Sequence, residues 1–342
     1  MGLGKMMGLG KKGKIHVNTE KPTYYPGEFV NGNVFVDMKE QVDCDAIVVQ
    51  CKGKEKVYWE ETRTRTVNDG DGESHTETYE VHFDGSRELF KMKIPLSQGR
   101  TYIPPGQWVY PFQFQLPMEL PASFKFKDSC WSGGENNKIK AKVEYSFKGT
   151  VDINGAFAKD LKGKSEIAIL SVPLNTIPIG KMNKTETVML CCCIPRGDVE
   201  MTVEADKGAY FCGETAQMHV QVDNRSSSSI EKMKAKFYRI LTLRADGHSC
   251  RFKHLMSELH YDGCEGGEQL DQHQQLPLTG EFLPVTNSKH ITCEYRIEIE
   301  CAIPWAPDVE LYIPIGLFEA PRAVWGYQPP AELVYYPPPP LE

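Results

Sequence analysis

Shifted by 186 residues, the chain lies on itself. Tyr24-Tyr25-Pro26-Gly27-Glu28 falls on Tyr210-Phe211-Cys212-Gly213-Glu214, Ile15 and Val17 on Met201 and Val203, and Val34 and Val36 on Val220 and Val222. Ile47, Val49 and Cys51 fall on Met233, Ala235 and Phe237 without a gap. Aromatic, turn and alternating positions therefore match together, and an internal repeat fixes architecture before any local detail does. Near the end of each copy, Leu116-Pro117 and Ile303-Pro304 pair at an offset of 187. The length agrees: 342 residues at about 150 per domain make two domains.

Each copy is read as all-β. Apolar residues alternate at Ile139, Ala141, Val143, Tyr145 and Phe147, and again at Tyr295, Ile297, Ile299, Cys301 and Ile303. A period of two turns one side of a strand to a core and the other to water. Turn clusters such as Tyr25-Pro-Gly-Glu28, Asn68-Asp-Gly-Asp-Gly72 and Ser132-Gly-Gly-Glu-Asn136 punctuate the runs, and many short strands so spaced predict a β-sandwich. In the Gly-Glu pairs, glycine allows the tight turn and glutamate is expected at an exposed rim. Phe252, Leu255, Met256 and Leu259 dissent, because spacings of three and four make a helical stripe. Helix and strand both stay open there on pattern alone.

The predicted organisation is a basic segment over 1–13, one sandwich over 14–178, a linker over 179–187, a second sandwich over 188–325 and a tail over 326–342. Val172 to Gly180 carries two prolines and a glycine and ends the first sheet. The tail holds six prolines and reads as extended polyproline.

Composition excludes several classes. The formal net charge of −7 argues against a dedicated nucleic-acid binder. No run of about 18 apolar residues suggests a transmembrane helix, and Met1 to Lys14 has no apolar core of the secretory type. Eleven cysteines, three of them adjacent, fit a reducing, cytoplasmic compartment better than a disulfide framework. Gly163-Lys-Ser165 ends like a phosphate loop, but Ala158 stands where that pattern needs glycine. No Gly-x-Ser-x-Gly or His-Glu-x-x-His occurs. No enzyme, cofactor or metal is therefore expected. The stretch carrying His248, Cys250, His254, His260, Cys264 and His273 has zinc-type ligands but no Cys-x-x-Cys pair. It is read as a polar strand and loop.

Three segments are candidates for binding. Lys5, Lys11, Lys12 and Lys14 stand in the first fourteen residues with no acid among them. Ammonium groups suit phosphate or anionic lipid as point charges. Cys191, Cys192 and Cys193 read first as a partly buried strand, with reversible acylation as the functional alternative. Tyr335, Tyr336, Pro337, Pro338, Pro339 and Pro340 form a pre-extended element that aromatic grooves of the WW or SH3 kind accept.

The order of motifs resembles the arrestin fold, and within it the α-arrestins, or arrestin-domain-containing proteins. In the first half the residues are Tyr25-Pro-Gly-Glu28 with Val30 and Gly32, Trp59, Pro111-Phe-Gln-Phe-Gln-Leu-Pro117, Leu120-Pro-Ala-Ser-Phe124, Val143-Glu-Tyr145 and Val172-Pro-Leu-Asn175. In the second they are Cys191-Cys-Cys193, Tyr210-Phe-Cys-Gly-Glu214, Val222-Asp-Asn-Arg-Ser226, Cys293-Glu-Tyr-Arg-Ile297, Ile303-Pro304 and Ile313-Pro-Ile-Gly316. The resemblance covers about residues 14 to 320. It implies two tandem immunoglobulin-like sandwiches and a strand at Phe252 to Leu259. It also implies a non-catalytic adaptor that binds membrane receptors or transporters and regulates endocytosis, sorting or ubiquitination. Such a protein is cytoplasmic and recruited to plasma membrane or endosomes, in peripheral association with the membrane. In related arrestins, lysines at the start of the first strand meet phosphates on cargo tails. The family recruits ubiquitin ligases through Pro-Pro-x-Tyr motifs; here Pro329-Pro330 is followed by Ala331-Glu332 and Pro340 by Leu341, so neither run supplies one. Two other readings remain: a retromer-like arrestin-fold subunit of a sorting coat, and a zinc-dependent or hydrolytic enzyme on a β-sandwich.

Overall fold

A computed structural model describes residues 8–9, 12–68, 74–97, 99–128, 138–155, 159–172, 181–190 and 194–319. Every regular element among them is a strand. The chain divides into two compact units. The first unit runs from Met1 to Ser171 and also takes in Leu243–Ser249 and Ser288–Ile291; the second takes the remainder.

The first eleven strands are β1 (Gly8–Leu9), β2 (Gly13–Thr19), β3 (Thr23–Tyr24), β4 (Phe29–Met38), β5 (Val42–Asn68), β6 (Ser74–Pro95), β7 (Thr101–Ile103), β8 (Gly106–Gln115), β9 (Phe124–Asp128), β10 (Ile139–Ile153) and β11 (Leu161–Ile169). They form a four-stranded sheet, β1-β2-β4-β8, and a seven-stranded sheet, β3-β11-β10-β5-β6, with β7 on β5 and β9 on β10. The core is the alternating set that the pattern marks: Ile47, Val49, Cys51 and Trp59 from β5 and Ile139, Ala141, Tyr145 and Phe147 from β10 are buried. Trp59 stacks on Phe83 with centroids 4.9 Å apart.

The next ten strands are β12 (Met182–Leu190), β13 (Ile194–Ala205), β14 (Ala209–Phe211), β15 (Thr215–Asn224), β16 (Ile230–Ala245), β17 (His248–Cys264), β18 (Gln269–Pro277), β19 (Thr286–Asn287), β20 (Ile291–Ala302) and β21 (Val309–Phe318). They repeat the plan: a four-stranded sheet, β12-β13-β15-β18, and a six-stranded sheet, β14-β21-β20-β16-β17, with β19 on β20. Residues 182–187, assigned to the linker on sequence, lie in β12, which pairs with β13 from Met182↔Val203 onward.

Several hydrogen bonds of the turns and tyrosines recur in both copies. Glu28 turns back to accept the Tyr25 N–H at 2.9 Å, and Glu214 accepts the Phe211 N–H at 2.9 Å. Both glutamates thus cap their own turn and are not left at an open rim. Lys21 and Lys207 approach them at 3.6 and 3.1 Å. Gly27 and Gly213, at φ 80° and 91°, occupy a backbone region costly to any residue with a Cβ. Tyr145 and Tyr295, both buried, donate their hydroxyls to the Pro121 and Leu283 carbonyls at 2.6 and 2.8 Å.

These pairs also show where the gapless offset fails. It has fallen from 186 at Tyr24/Tyr210 to 150 at Tyr145/Tyr295. The first-half hairpin has arms of 27 and 22 residues against 16 and 17 in the second. Leu116 consequently matches Leu278 and not Ile303: the Leu116 N–H goes to the Glu28 carbonyl, and the Leu278 N–H to the Glu214 carbonyl. Phe252 to Leu259 is strand. Alternation there sends Leu255 and Leu259 to one face and Phe252 and Met256 to the other, so the stripe is divided between two faces.

Candidate functional site: a lysine-lined sheet face

The strands that bury the first core turn lysine outward. In β5 the buried positions alternate with Lys52, Lys54 and Lys56; in β10 with Lys140, Lys142 and Lys148; in β11 with Lys162 and Lys164. β9 adds Lys125 and Lys127, and β6 adds Lys91 and Lys93. Cross-strand register aligns them on one face of the seven-stranded sheet. Lys125, Lys142 and Lys56 form one row across three strands. Lys127, Lys140 and Tyr58 form the next, with the Lys140 ammonium 5.6 Å from the Tyr58 ring centroid. Further along, Lys93, Gln50, Lys148 and Lys164 make a third row.

Acids neutralise part of this face. Lys52 pairs with Glu88 at 2.5 Å, Lys142 with Glu144 at 2.7 Å, Lys162 with Asp160 at 2.9 Å and Lys164 with Glu166 at 2.8 Å. Lys54 stands in register with both Glu144 and Glu88, yet those carboxylates turn to Lys142 and Lys52. Its ammonium is pushed below the ordinary lysine range, first by the charge of Lys56 and then by partial desolvation. Directly opposed like charges destabilise a sheet, so this concentration of cations works against folding. It also makes a local positive field in a chain of net charge −7. The outward face of the four-stranded sheet has a different chemistry: Asn18, Asn31, Asn33 and Gln113 line a shallow depression of amides.

Of the sequence candidates, Lys12 and Lys14 are described. The Lys12 carbonyl accepts the Lys39 N–H at 2.9 Å. Lys14 is exposed on β2, in register with Asp37, and so lies in the four-stranded sheet and not in the sheet that carries the lysine rows. Lys5, Lys11, Cys191, Cys192, Cys193, Tyr335, Tyr336 and Pro337 to Pro340 lie outside the described residues. The histidine-rich stretch does not assemble as one group. His248, His254, His260, Cys250 and Cys264 belong to β17, whereas His273 belongs to β18 in the other sheet. Among the described residues one acidic group has metal-like spacing, Glu298, Glu300 and Glu310. Lysines already occupy it: Lys234 and Lys236 pair with Glu300, and Lys253 pairs with Glu298 at 2.7 Å.

The lysine face had a sequence signal that apolar alternation conceals. Lys52-x-Lys-x-Lys56, Lys91-x-Lys93, Lys125-x-Lys127, Lys138-x-Lys-x-Lys142 and Lys162-x-Lys164 are period-two runs of lysine in five segments. Their convergence depends on strand order, which periodicity does not supply.

Comparison with known families agrees with this architecture. Residues 13–172 match the arrestin (or S-antigen) N-terminal domain, and residues 195–322 match the C-terminal domain. The chain belongs to the arrestin family. Its relatives are arrestin domain-containing proteins, the α-arrestins. Arrestin domain-containing protein A of Dictyostelium discoideum is 25% identical over 321 residues, covering 93% of this chain and 53% of its own length. Arrestin domain-containing protein 4 of Mus musculus is 25% identical over 324 residues, covering 92% and 73%. Arrestin domain-containing protein 17 of Caenorhabditis elegans is 22% identical over 315 residues, covering 85% and 69%. The chain therefore spans about half of the Dictyostelium relative's length and about seven-tenths of the others'.

Proposed function

We propose that this α-arrestin is a non-catalytic adaptor. Its lysine-lined sheet face binds phosphorylated or acidic cytoplasmic segments of membrane receptors or transporters and so directs their endocytosis, sorting or ubiquitination. The row of Lys125, Lys142 and Lys56 carries the reading. Three ammonium groups at cross-strand spacing match an extended anionic segment laid across the strands, and lysine meets phosphate as a point charge. An anionic leaflet beside the cargo adds about 1 kcal/mol per nearby lysine, which favours the cytoplasmic side of plasma membrane or endosomes. Lys5, Lys11, Lys12 and Lys14 are a second, separate basic element in this proposal, suited as point charges to phosphate or anionic lipid. The polyproline tail offers WW- or SH3-domain proteins, ubiquitin ligases among them, a second attachment.

The test is fluorescence anisotropy with phosphorylated and unphosphorylated forms of one cargo-tail peptide. The phosphorylated form should bind more tightly, and binding should weaken as salt shortens the Debye length from about 10 Å at 0.1 M toward about 3 Å at 1 M. Equal binding of both forms, or insensitivity to salt, would overturn the assignment.

A further inference from the structure

The fold pairs two histidines that stand 54 residues apart in the sequence, His219 and His273. In the second sandwich, β15 lies between β13 and edge strand β18. Register places Glu204, His219 and His273 in one row across these three strands. The next row on the same face holds Thr202, Gln221 and Asp271. The two imidazoles stack with centroids 4.7 Å apart and planes 20° from parallel. His219 Nε2 lies 2.7 Å from Asp271 Oδ1, and Gln221 donates to Asp271 Oδ2 at 2.8 Å. The side chains of His219 and Asp271 are 33% and 61% exposed, so solutes reach them without any opening of the fold.

We propose that His219 and His273, with Glu204 or Asp271, form a surface site for a divalent transition metal of the zinc or copper class. Imidazole with carboxylate is a donor set suited to such ions. Cross-strand neighbours have Cβ atoms about 4.5–5.5 Å apart, close enough for rotation of two histidine side chains to bring ring nitrogens to a common ion at about 2.0–2.1 Å. Gln221 already fixes one Asp271 oxygen, the orienting contact from outside the ligand set that such carboxylates commonly have. Lys181 contacts the far side of Gln221 at 3.2 Å and is the cation nearest this network among its hydrogen-bond partners. A bound ion would tie the edge strand β18 to β15, and through Glu204 to β13.

The experiment titrates the intact, metal-stripped chain with zinc chloride, by calorimetry and by histidine ring NMR, with copper(II) as a second probe. One equivalent should bind in the micromolar range and raise the melting temperature. Ring signals of His219 and His273 should shift, and those of His254 and His260 should not. His219→Ala and His273→Ala should each weaken binding at least tenfold, while a His254→Ala/His260→Ala double variant should bind like the parent. His219→Gln and His273→Gln, which keep side-chain bulk on the sheet, repeat the measurement should an alanine variant unfold. Absence of saturable binding up to 1 mM zinc, or undiminished affinity in the folded His219 and His273 variants, overturns the site.

Discussion

The two repeats put the same motif on corresponding strands and use it oppositely. β5 carries Lys52-x-Lys-x-Lys56, and β16 carries Lys232-x-Lys-x-Lys236. In the first repeat the neighbouring strands add more lysine; Lys142 pairs with Glu144 at 2.7 Å, while Lys56 and Lys125 stay exposed. In the second, Lys234 and Lys236 pair with Glu300, while Lys253 and Arg296 pair with Glu298 at 2.7 and 3.4 Å. Counting from the matched tyrosines, Lys148 and Thr150 stand where the second repeat has Glu298 and Glu300. The strand beside differs as well, because Lys234 and Lys236 stand at the positions of Val48 and Gln50 on the 186-residue offset, so positions on two adjacent strands separate the two faces. The duplicated scaffold tolerates both because outward side chains leave the core untouched. The lesson is that a charge run acquires a role from the strand beside it.

Breaking the neutralised face should have the larger effect on stability. Glu298 and Glu300 are 1% and 3% exposed. Removing one partner of a buried ion pair costs about 3–5 kcal/mol, because the remaining charge is left uncompensated. Lys236→Met should therefore lower the melting temperature of the second sandwich by many degrees in calorimetry, and Lys142→Met in the first should leave its own sandwich within about 0.5 kcal/mol. The pH dependence has a definite sign. Burial works to raise the Glu300 pKa, but hydrogen bonds from Lys234 and Lys236 outweigh it and bring the carboxyl to about 2, below its ordinary value of 4.5. A group depressed on folding stabilises above its unfolded pKa and loses that contribution as pH falls through the folded one. Second-sandwich stability should thus decline between about pH 4.5 and 2, and the decline should be shallower in Glu300→Gln. An unchanged profile in that variant would mean the network contributes little.

The cationic face should show the reverse separation, large in binding and small in stability. Charge reversal of Lys56, Lys125 and Lys142 to Glu removes at least three favourable contacts of about 1 kcal/mol each, or a hundredfold and more in affinity for an anionic partner. Circular dichroism melts should stay near the parent. Lys232→Glu, on the corresponding strand of the second repeat, is the control and should bind like the parent. If the triple reversal binds phosphopeptide as well as the parent does, the functional contrast between the repeats disappears.

Much of the fold was legible because the signals that carry it are local. Alternation at Ile139 to Phe147 locates a strand, and Tyr25-Pro-Gly-Glu28 with its copy locates two identical turns. What was hidden is relational. His219 and His273 are 54 residues apart in sequence, and the cluster of histidines around His254 draws attention to the wrong strand. The offset of 187 at Leu116-Pro117 fails because a longer hairpin in the first half displaces everything after it. The stripe at Phe252 to Leu259 imitates a helix because apolar residues lie on both faces of β17. Lysine rows follow the same logic: each Lys-x-Lys is visible alone, and only strand order makes them one surface.

The smallest expected effect tests whether the copies are still equivalent in energy where they are equivalent in geometry. Glu28 and Glu214 each accept a backbone N–H three residues earlier at 2.9 Å, each beside a lysine that also lies over a tyrosine ring, Lys21 at 5.6 Å from Tyr24 and Lys207 at 5.2 Å from Tyr210. A hydrogen bond to a charged group contributes about 1.5–3 kcal/mol when well buried, and partial exposure brings this nearer 1 kcal/mol. Glu28→Ala and Glu214→Ala should each cost about 1 kcal/mol in denaturant unfolding, and the Gln variants less, since the amide oxygen can still accept the same N–H. Lys21 approaches more loosely than Lys207, 3.6 Å against 3.1 Å, so Glu214 should lose slightly more, with the difference vanishing at high salt. Costs that differ by more than about 1 kcal/mol between the two alanine variants would show that one turn has become rigidified by its surroundings and no longer depends on its glutamate. Equal costs, with equal rescue by glutamine, would show that duplication preserved the energetics of this turn while the sheet faces diverged.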